Sequence, residues 1–450
     1  MSLLTDKQTL DDLNIFGKKG GNGLFALFNR TFTRGGSELL EEMFRYPLSD
    51  AQAINARSTV ISAFASLGIG FPYNTELFDG VEQYLQNTDE RSRLNAADNT
   101  LARKFNQLIA ADTELKTIQK GVGGLIGILQ ATRTFADTIR QQVADLPYKK
   151  ELDALEQLLA LEELQPVLQE NSKQKLSFEK LAEYDKLLRF RQRNEIKKLL
   201  NHIYLVDVYV SVARVARDRN FVFPKALQKE LQTVVLEDFY HPALTKPVVN
   251  SLTITPDSNI LFLTGANMAG KSTFMKSLGI AMYLAHMGFP VAASKMEFSV
   301  RDGIFTTINL SDNLSQGASH FYAEVLRIKN VAAELSRDKY LFVIFDELFR
   351  GTNVKDAYEA TVAITSAIAR RRNCMFVVST HIIEAGAVLK EKAGNINFIY
   401  LPTLMDGNKP VYTHKLASGI TSDRHGMVII NNEGILDILN RKKSTEKGEL

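Results

Sequence analysis

The sequence predicts a multi-domain chain: an all-α domain over residues 24–235, then an α/β phosphate-loop domain over residues 236–440. A short segment at 1–23 precedes them and a polar tail at 441–450 follows. Three observations predict this. Before about residue 235, apolar residues recur at three- and four-residue spacing with charges between them, the pattern of amphipathic helices. Beyond it, strand-like apolar runs alternate with helical patterns, which argues for a mostly parallel sheet with its ligand at the strand carboxyl ends. The first strong strand of that half runs into "GANMAGKST", a G-x-x-x-x-G-K-S loop that opens a helix.

Bulk properties agree with a folded protein of more than one core. The chain has 450 residues, 45% of them hydrophobic and 23% charged, and that length implies about two to three domains. No run of eighteen apolar residues predicts a membrane span. The opening "MSLLTDKQTLDDLN" lacks the basic start and apolar stretch of a secretory signal. The one cysteine, Cys374, excludes an intrachain disulfide and fits a cytoplasmic protein; at the entry of "CMFVVST" it reads as a small apolar strand residue. A net charge of +3 leaves nucleic-acid binding open, because a basic face can hide within a balanced total.

Within the helical half, "LDALEQLLALEELQPVL" is followed by a pattern from Phe178 to Arg219 too long for an average globular helix, which predicts a lever or extended bundle. Its basic run, residues 189–198, reads first as a solvated helix face. Any binding of DNA is nonetheless expected to use its cations, among them Arg189, Arg191, Arg193 and Lys197. The cluster "GVGGLIGIL" at residues 121–129 imitates a nucleotide loop, but no strand of the right kind precedes it and no Lys-Ser follows. A close helix contact or a flexible joint is the better reading.

The α/β half carries the chemistry. Gly265 and Gly270 free the backbone to curl so that N–H groups and a helix N-terminus face the phosphates. Lys271 then reaches the β and γ phosphates and the Ser272 hydroxyl ligates Mg²⁺, with Thr273 completing the opening of the helix. In "LFVIFDELFRGTN", Asp346 and Glu347 end an apolar strand, where one carboxylate holds Mg²⁺ and the next polarises the attacking water. A helix N-cap would be the bland use of such a pair. The strand "FVVST" ends at Thr380 and His381, a place from which an imidazole can sense the γ-phosphate or orient water.

The stretches "TGANMAGKSTFMKSLGIAMYLAHMGFPVAA", "DNLSQGASHFYAEV", "DELFRGTN", "STH" and "HKLASGITSDRHGM", in this order and spacing, resemble the MutS mismatch-repair ATPase family. "LFNRTFTRGGSELLEEMFRYPLSDAQAINAR" looks like the opening of that family's helical core, and "LVDVYVSVARVA" like its closing helix. The resemblance runs from about residue 24 to residue 439. It implies an ABC-class ATPase that uses ATP and Mg²⁺, works as a homodimer, and closes each nucleotide with the partner subunit. By position it assigns Ser319 to the γ-phosphate in the partner's site, Asn267 to the composite site and His381 to the Thr-His switch. His414 is assigned to the adenine ring, and Ser422 and Gly426 to the buttress of the partner. Three residues depart from the pattern: Ala269 within the loop, His320 after Ser319, and Phe349 before Arg350. The last two are expected to place bulk near a subunit interface and to affect hydrolysis more than binding.

Mismatch readers of that family insert the ring of a Phe-x-Glu motif at the mispair. The one Phe-x-Glu here is Phe345-Asp346-Glu347, already assigned to metal and water. The chain also opens almost directly on the helical core, with no β-rich insert before "LLRFRQRNEIKKLL" to form a DNA clamp. The resemblance therefore implies a short ATPase of DNA mismatch repair or a related repair or recombination process, with DNA as a partner and without its own mismatch-reading wedge. The alternative is a nucleotide-gated scaffold that binds a protein partner, such as another repair protein, with slow or no hydrolysis and no direct DNA binding. A chromosome ATPase of the SMC type would need a long heptad coiled coil, which is not in the sequence.

Overall fold

The structure, a computed structural model, describes residues 2–17, 23–94, 110–142, 148–171, 174–266, 268–308, 320–407, 409–421, 430 and 433–440. The chain divides into two compact units, one of Phe25–Arg45 and Thr59–Asp218, the other of Met1–Leu24, Tyr46–Ser58 and Arg219–Leu450. In chain order the helices before the first sheet are α1 (Lys7–Asp12), α2 (Leu24–Phe28), α3 (Arg34–Arg45), α4 (Ala51–Leu67), α5 (Glu76–Gln86), α6 (Ala110–Gln142), α7 (Lys149–Leu159), α8 (Gln165–Leu168), α9 (Phe178–Asp185) and α10 (Arg193–Arg219).

The helical unit is organised around α10. Among the described residues, α10 is the one helix long and apolar enough to cross a bilayer, and most of it is buried inside the protein, as a core helix would be. Its polar residues are placed with care. Asp207 accepts from the backbone N–H groups of Phe32 and Thr33 and from the Thr33 hydroxyl at 2.7–3.1 Å, and Ser211 donates to the Phe28 carbonyl at 2.8 Å. Burial pushes the Asp207 carboxyl up, against those three donors. The Thr33 hydroxyl in turn accepts from Gly36 N–H at 2.9 Å, capping α3 at its N-terminus. A side chain on Gly35 or Gly36 would strike Tyr204 or Asp207, which is why "TRGGSE" carries two glycines.

The predicted long helix over 178–219 is interrupted. Between α9 and α10, Lys186–Arg191 form a π turn, closed by Gln192 N–H donating to the Leu187 carbonyl at 2.8 Å. Arg189, expected among the phosphate-contacting cations, is 1% exposed. Its guanidinium pairs with Asp185 at 2.7 Å, donates to Ser92 twice and lies over the rings of Tyr84 and Phe190. An arginine so enclosed cannot reach a phosphate backbone. The wide turn rotates it inward while Arg191 and Lys197 stay exposed; Arg193 donates to the Leu85 carbonyl.

In the second unit the strands are β1 (Lys225–Leu227), β2 (Val234–Phe239), β3 (Asn250–Ile254), β4 (Ile260–Gly265), β5 (Lys295–Ser299), β6 (Gly303–Thr307), β7 (Leu341–Phe345), β8 (Met375–Ser379), β9 (Ile396–Leu401), β10 (Thr403–Asp406), β11 (Lys409–Tyr412) and β12 (Ala417–Ser418). The later helices are α11 (Lys271–His286), α12 (His320–Leu335), α13 (Val354–Ile368), α14 (Glu384–Lys392) and α15 (Ile435–Asn440). The main sheet has the order β12-β9-β4-β8-β7-β6, parallel except for β12. Strands β4, β7 and β8 are buried along their whole length, which explains their unbroken apolar runs. A second sheet has the order β1-β5-β2-β3; β1 precedes residue 236 and β2 runs across it. Three-residue β1 gives no alternating pattern long enough to read from sequence.

Residues 2–17, set apart by sequence as a leading segment, belong to the sheet unit. Strand β6 is an edge of the main sheet, and its outward backbone groups would be orphans. Leu4 N–H donates to the Asp302 carbonyl and Ile304 N–H to the Leu4 carbonyl, both at 2.9 Å. Farther along, Thr306 N–H donates to the Thr9 hydroxyl at 3.0 Å, and Thr306 Oγ1 and Ile308 N–H donate to Asp12 Oδ2 at 2.7 and 2.8 Å. Leu13 packs against Gly279 of α11, where no Cβ would fit.

A candidate nucleotide site at the strand carboxyl ends

Strand β4 delivers a cradle. Gly265 (φ +151°) and Gly270 (φ +105°) hold backbone conformations that side chains resist. A Cβ on Gly270 would lie 2.9 Å from His414 Nδ1. Lys271 opens α11, is buried, and donates from Nζ to the carbonyls of Gly265 and Ala266 at 2.9 and 3.2 Å. Burial draws its pKa down, opposed by the charges of Glu347 and Asp346. Ser272 and Thr273 are exposed on the first turn of α11.

Strands β7 and β8 bring the acids. Asp346 Oδ2 accepts from the Ser272 hydroxyl at 2.8 Å and Oδ1 from the Ser379 hydroxyl at 2.8 Å. Burial raises its pKa, and the two hydroxyls work against that rise. Glu347 is turned out of the strand line by a left-handed backbone (φ +52°), with its N–H on the Ser379 carbonyl. His381 Nε2 meets Glu347 Oε1 at 2.5 Å. Since an ionised carboxylate only accepts, Nε2 carries the proton. That hydrogen bond, against the penalty of burial, holds the Glu347 carboxyl below the usual carboxylate range, with the His381, Lys271 and Arg350 charges adding to it.

The sequence-derived set thus converges: Gly265, Gly270, Lys271, Ser272, Asp346, Glu347 and His381 share one corner of the sheet. His414 joins them from the loop after β11, its Nδ1 donating to the Ala269 carbonyl at 2.9 Å, so it braces the loop. Ala269 is fully buried and is accommodated. Phe349, expected to add bulk at a subunit interface, is instead 6% exposed in the unit's own core, with its ring centroid 6.0 Å from that of Phe321. The left-handed turn at Phe349 (φ +63°) directs it inward. Asn267, Ser319, Ser422, Gly426, the His320 side chain and the tail at 441–450 lie outside the described residues. Two partners were missed from sequence: Ser379, which holds the second oxygen of Asp346, and Arg350, 3.5 Å from Glu347. The hydroxyl one residue before the Thr-His pair was the available signal for Ser379.

The donor set suits a hard divalent cation and a polyphosphate. The Ser272 hydroxyl and the Asp346 carboxylate are oxygen donors already within hydrogen-bond distance of each other, and Mg²⁺ favours such ligands with retained waters. The nearby lysine and the helix N-terminus favour anionic oxygens.

Comparison with known proteins decides the family. Residues 8–262 match the profile of MutS domain III and residues 261–447 that of MutS domain V. The chain belongs to the MutS family. The DNA mismatch repair protein MutS of Petrotoga mobilis is 30% identical over 303 residues, 65% of this chain and 35% of that protein. Those of Streptococcus uberis and Streptococcus agalactiae serotype Ia are 28% and 30% identical, covering 56% and 58% of this chain and 31% of each relative. The MutS-family chain thus spans about a third of the length of the curated relatives it matches. Its two profile matches meet at the start of β4, and residues 265–273 fall in the domain V match.

Proposed function

We propose that this MutS-family chain binds ATP with Mg²⁺ on residues 265–273 and hydrolyses it to ADP and phosphate as a cytoplasmic homodimer. We further propose that it serves DNA mismatch repair or a related repair or recombination process. The observation that carries the reading is the meeting of Ser272, Asp346, Glu347 and His381 beside a buried Lys271. The N–H groups of the loop and the start of α11 hold the phosphates, and Lys271 exchanges its carbonyl partners for β and γ oxygens. Ser272 and Asp346 hold Mg²⁺, which supplies neutralisation of phosphate charge. Glu347 accepts a hydrogen bond from the attacking water, and His381 keeps that carboxylate ionised and aimed. Asn267 and His414 complete the nucleotide contacts, with His414 set beside the loop to meet the base, and Ser319 approaches the partner's γ-phosphate.

Direct contact with DNA, in this reading, uses exposed cations such as Arg191 and Lys197 and no inserted ring. Phe345, the aromatic of the one Phe-x-Glu, is buried in β7. The test is ATP titration and turnover for wild type, with duplex, G·T-mismatched and branched DNA at several salt concentrations. Mg²⁺-dependent turnover with steeply salt-dependent DNA binding is expected. Wild type and Lys271→Ala binding ATP equally well would overturn the nucleotide assignment.

A further inference from the structure

The contacts along edge strand β6 are not uniform. At its start, the partner is main chain, the Leu4–Gly303 bridge. At its carboxyl end, the partners are the side chains of Thr9, Asp12 and Arg327, the last two ionisable. Asp12 Oδ2 takes both Thr306 Oγ1 and Ile308 N–H, while Gln8 Nε2 donates to Oδ1 at 2.9 Å. Thr9 accepts from Thr306 N–H and donates its hydroxyl to Asp6 Oδ1 at 2.7 Å. Asp6 pairs with Arg327 of α12, whose guanidinium also donates to the Thr306 carbonyl at 2.7 Å and, through Nε, to the Thr307 hydroxyl at 3.3 Å. Asp12, Thr9, Thr306, Thr307 and Arg327 are all buried.

This end of β6 lies directly beside the acids. Asp346 N–H donates to the Thr307 carbonyl at 2.9 Å, so the backbone of the metal-holding residue hangs from the strand that α1 grips. Covering an edge needs only backbone partners, as Leu4 demonstrates. Charge-assisted hydrogen bonds are shorter, stronger and more directional than neutral ones, and here they are gathered at the end that carries Asp346.

We propose that α1 is a positioning element for the Asp346 carboxylate, with Asp12 its principal residue and Thr9, Asp6 and Arg327 its supports. It rests on the hydrolytic function proposed above. By fixing residues 306–308, the element fixes the N–H anchor of Asp346 and therefore its distance from Ser272. Outer partners of this kind typically change metal affinity or activity by 10–100-fold when removed.

The experiment compares wild type, Asp12→Ala, Asp12→Asn and Thr306→Val in the full chain. Three quantities are read: the Mg²⁺ dependence of ATP turnover, ADP affinity without Mg²⁺, and hydrogen exchange of the Asp346 amide. Asp12→Ala is expected to lower kcat and raise the Mg²⁺ needed for half-maximal turnover, each by about tenfold, with Mg²⁺-free ADP affinity within about twofold of wild type. Its Asp346 amide exchanges faster. Asp12→Asn still offers one oxygen to Thr306 and Ile308 when the Gln8 amide turns to accept, and recovers most of the loss. If Asp12→Ala does not fold, Thr306→Val decides, since it removes one hydroxyl donor and costs about threefold in the same quantities. Folded variants with wild-type Mg²⁺ requirement and wild-type Asp346 exchange overturn the proposal. A wild-type chain that does not hydrolyse ATP overturns the function instead, and the amide exchange still reads the positioning.

Discussion

Two glycine-rich stretches of this chain use the same residue in opposite ways. In residues 121–127, glycines lie mid-helix in α6, and what they lack is volume. A Cβ on Gly121 would lie 2.2 Å from the Tyr84 ring, and one on Gly124 2.8 Å from Val81, so α5 approaches closely. In residues 265–270, the glycines supply conformation: both sit at positive φ, and the backbone they release curls around the place assigned to phosphate. A glycine count cannot separate the two; what precedes and follows can. The first stretch continues a helical period, whereas the second is entered from a buried strand and left through Lys-Ser.

The largest expected effect breaks the loop side of this comparison. Lys271→Ala removes the buried cation beside the cradle, and Glu347→Gln removes the carboxylate proposed above to activate water. Each should lower ATP turnover by about a hundredfold or more, the first with loss of ATP affinity and the second without. Calorimetric titration beside a phosphate-release assay separates them. Gly270→Ala comes next. Forcing a side chain into φ +105° beside His414 stores about 1–3 kcal/mol of strain, which the turn relieves by giving up its curl. ATP affinity should fall about tenfold or more while the melting temperature moves little.

Acidity sharpens the comparison further. Glu347 is held below its ordinary value of 4.5, so its contribution to stability is present above that value and lost as pH falls through the lower folded one. Asp346 is raised, so its ionisation costs stability as pH rises through its folded value. Asp346→Asn should therefore raise the melting temperature at pH 7 while abolishing the Mg²⁺ response. On the helical side, Gly121→Ala should destabilise by about 1–3 kcal/mol through overpacking against Tyr84 and leave nucleotide binding untouched. The smallest effect is a gain. Gly123 has open space around its Cβ position, and Gly123→Ala should stabilise by about 0.5–1 kcal/mol in denaturant melts.

The parts visible in sequence were those whose cause is local. Strands β4, β7 and β8 declared themselves through uninterrupted apolar runs, and Lys271, Ser272, Asp346 and Glu347 through position relative to them. What sequence hid depends on distant partners. Arg189 has the look of a solvated cation, and only the π turn and Asp185 place it inside. Nothing near Asp12 signals that its acceptor oxygen is spent on Thr306, 294 residues away. The inward turn of Phe349 and the outward turn of Glu347 are set by positive φ at non-glycine residues, a strain that the packing around them sustains.

The grip of α1 on β6 also bears on how the chain is made. Thr9 and Thr306 are separated by 297 residues, which at ~5–20 residues per second means that α1 leaves the ribosome about 15–60 s before its partner strand. Until then its buried threonine and aspartate remain in water at no cost. Strand β6, once made, has an open edge that any other strand can join. Closing so long a loop is slow compared with pairing β6 to β7. Capture of residues 2–12 is therefore expected among the late steps of folding, and a nascent chain stalled before it exposes a templating edge that the finished protein has covered.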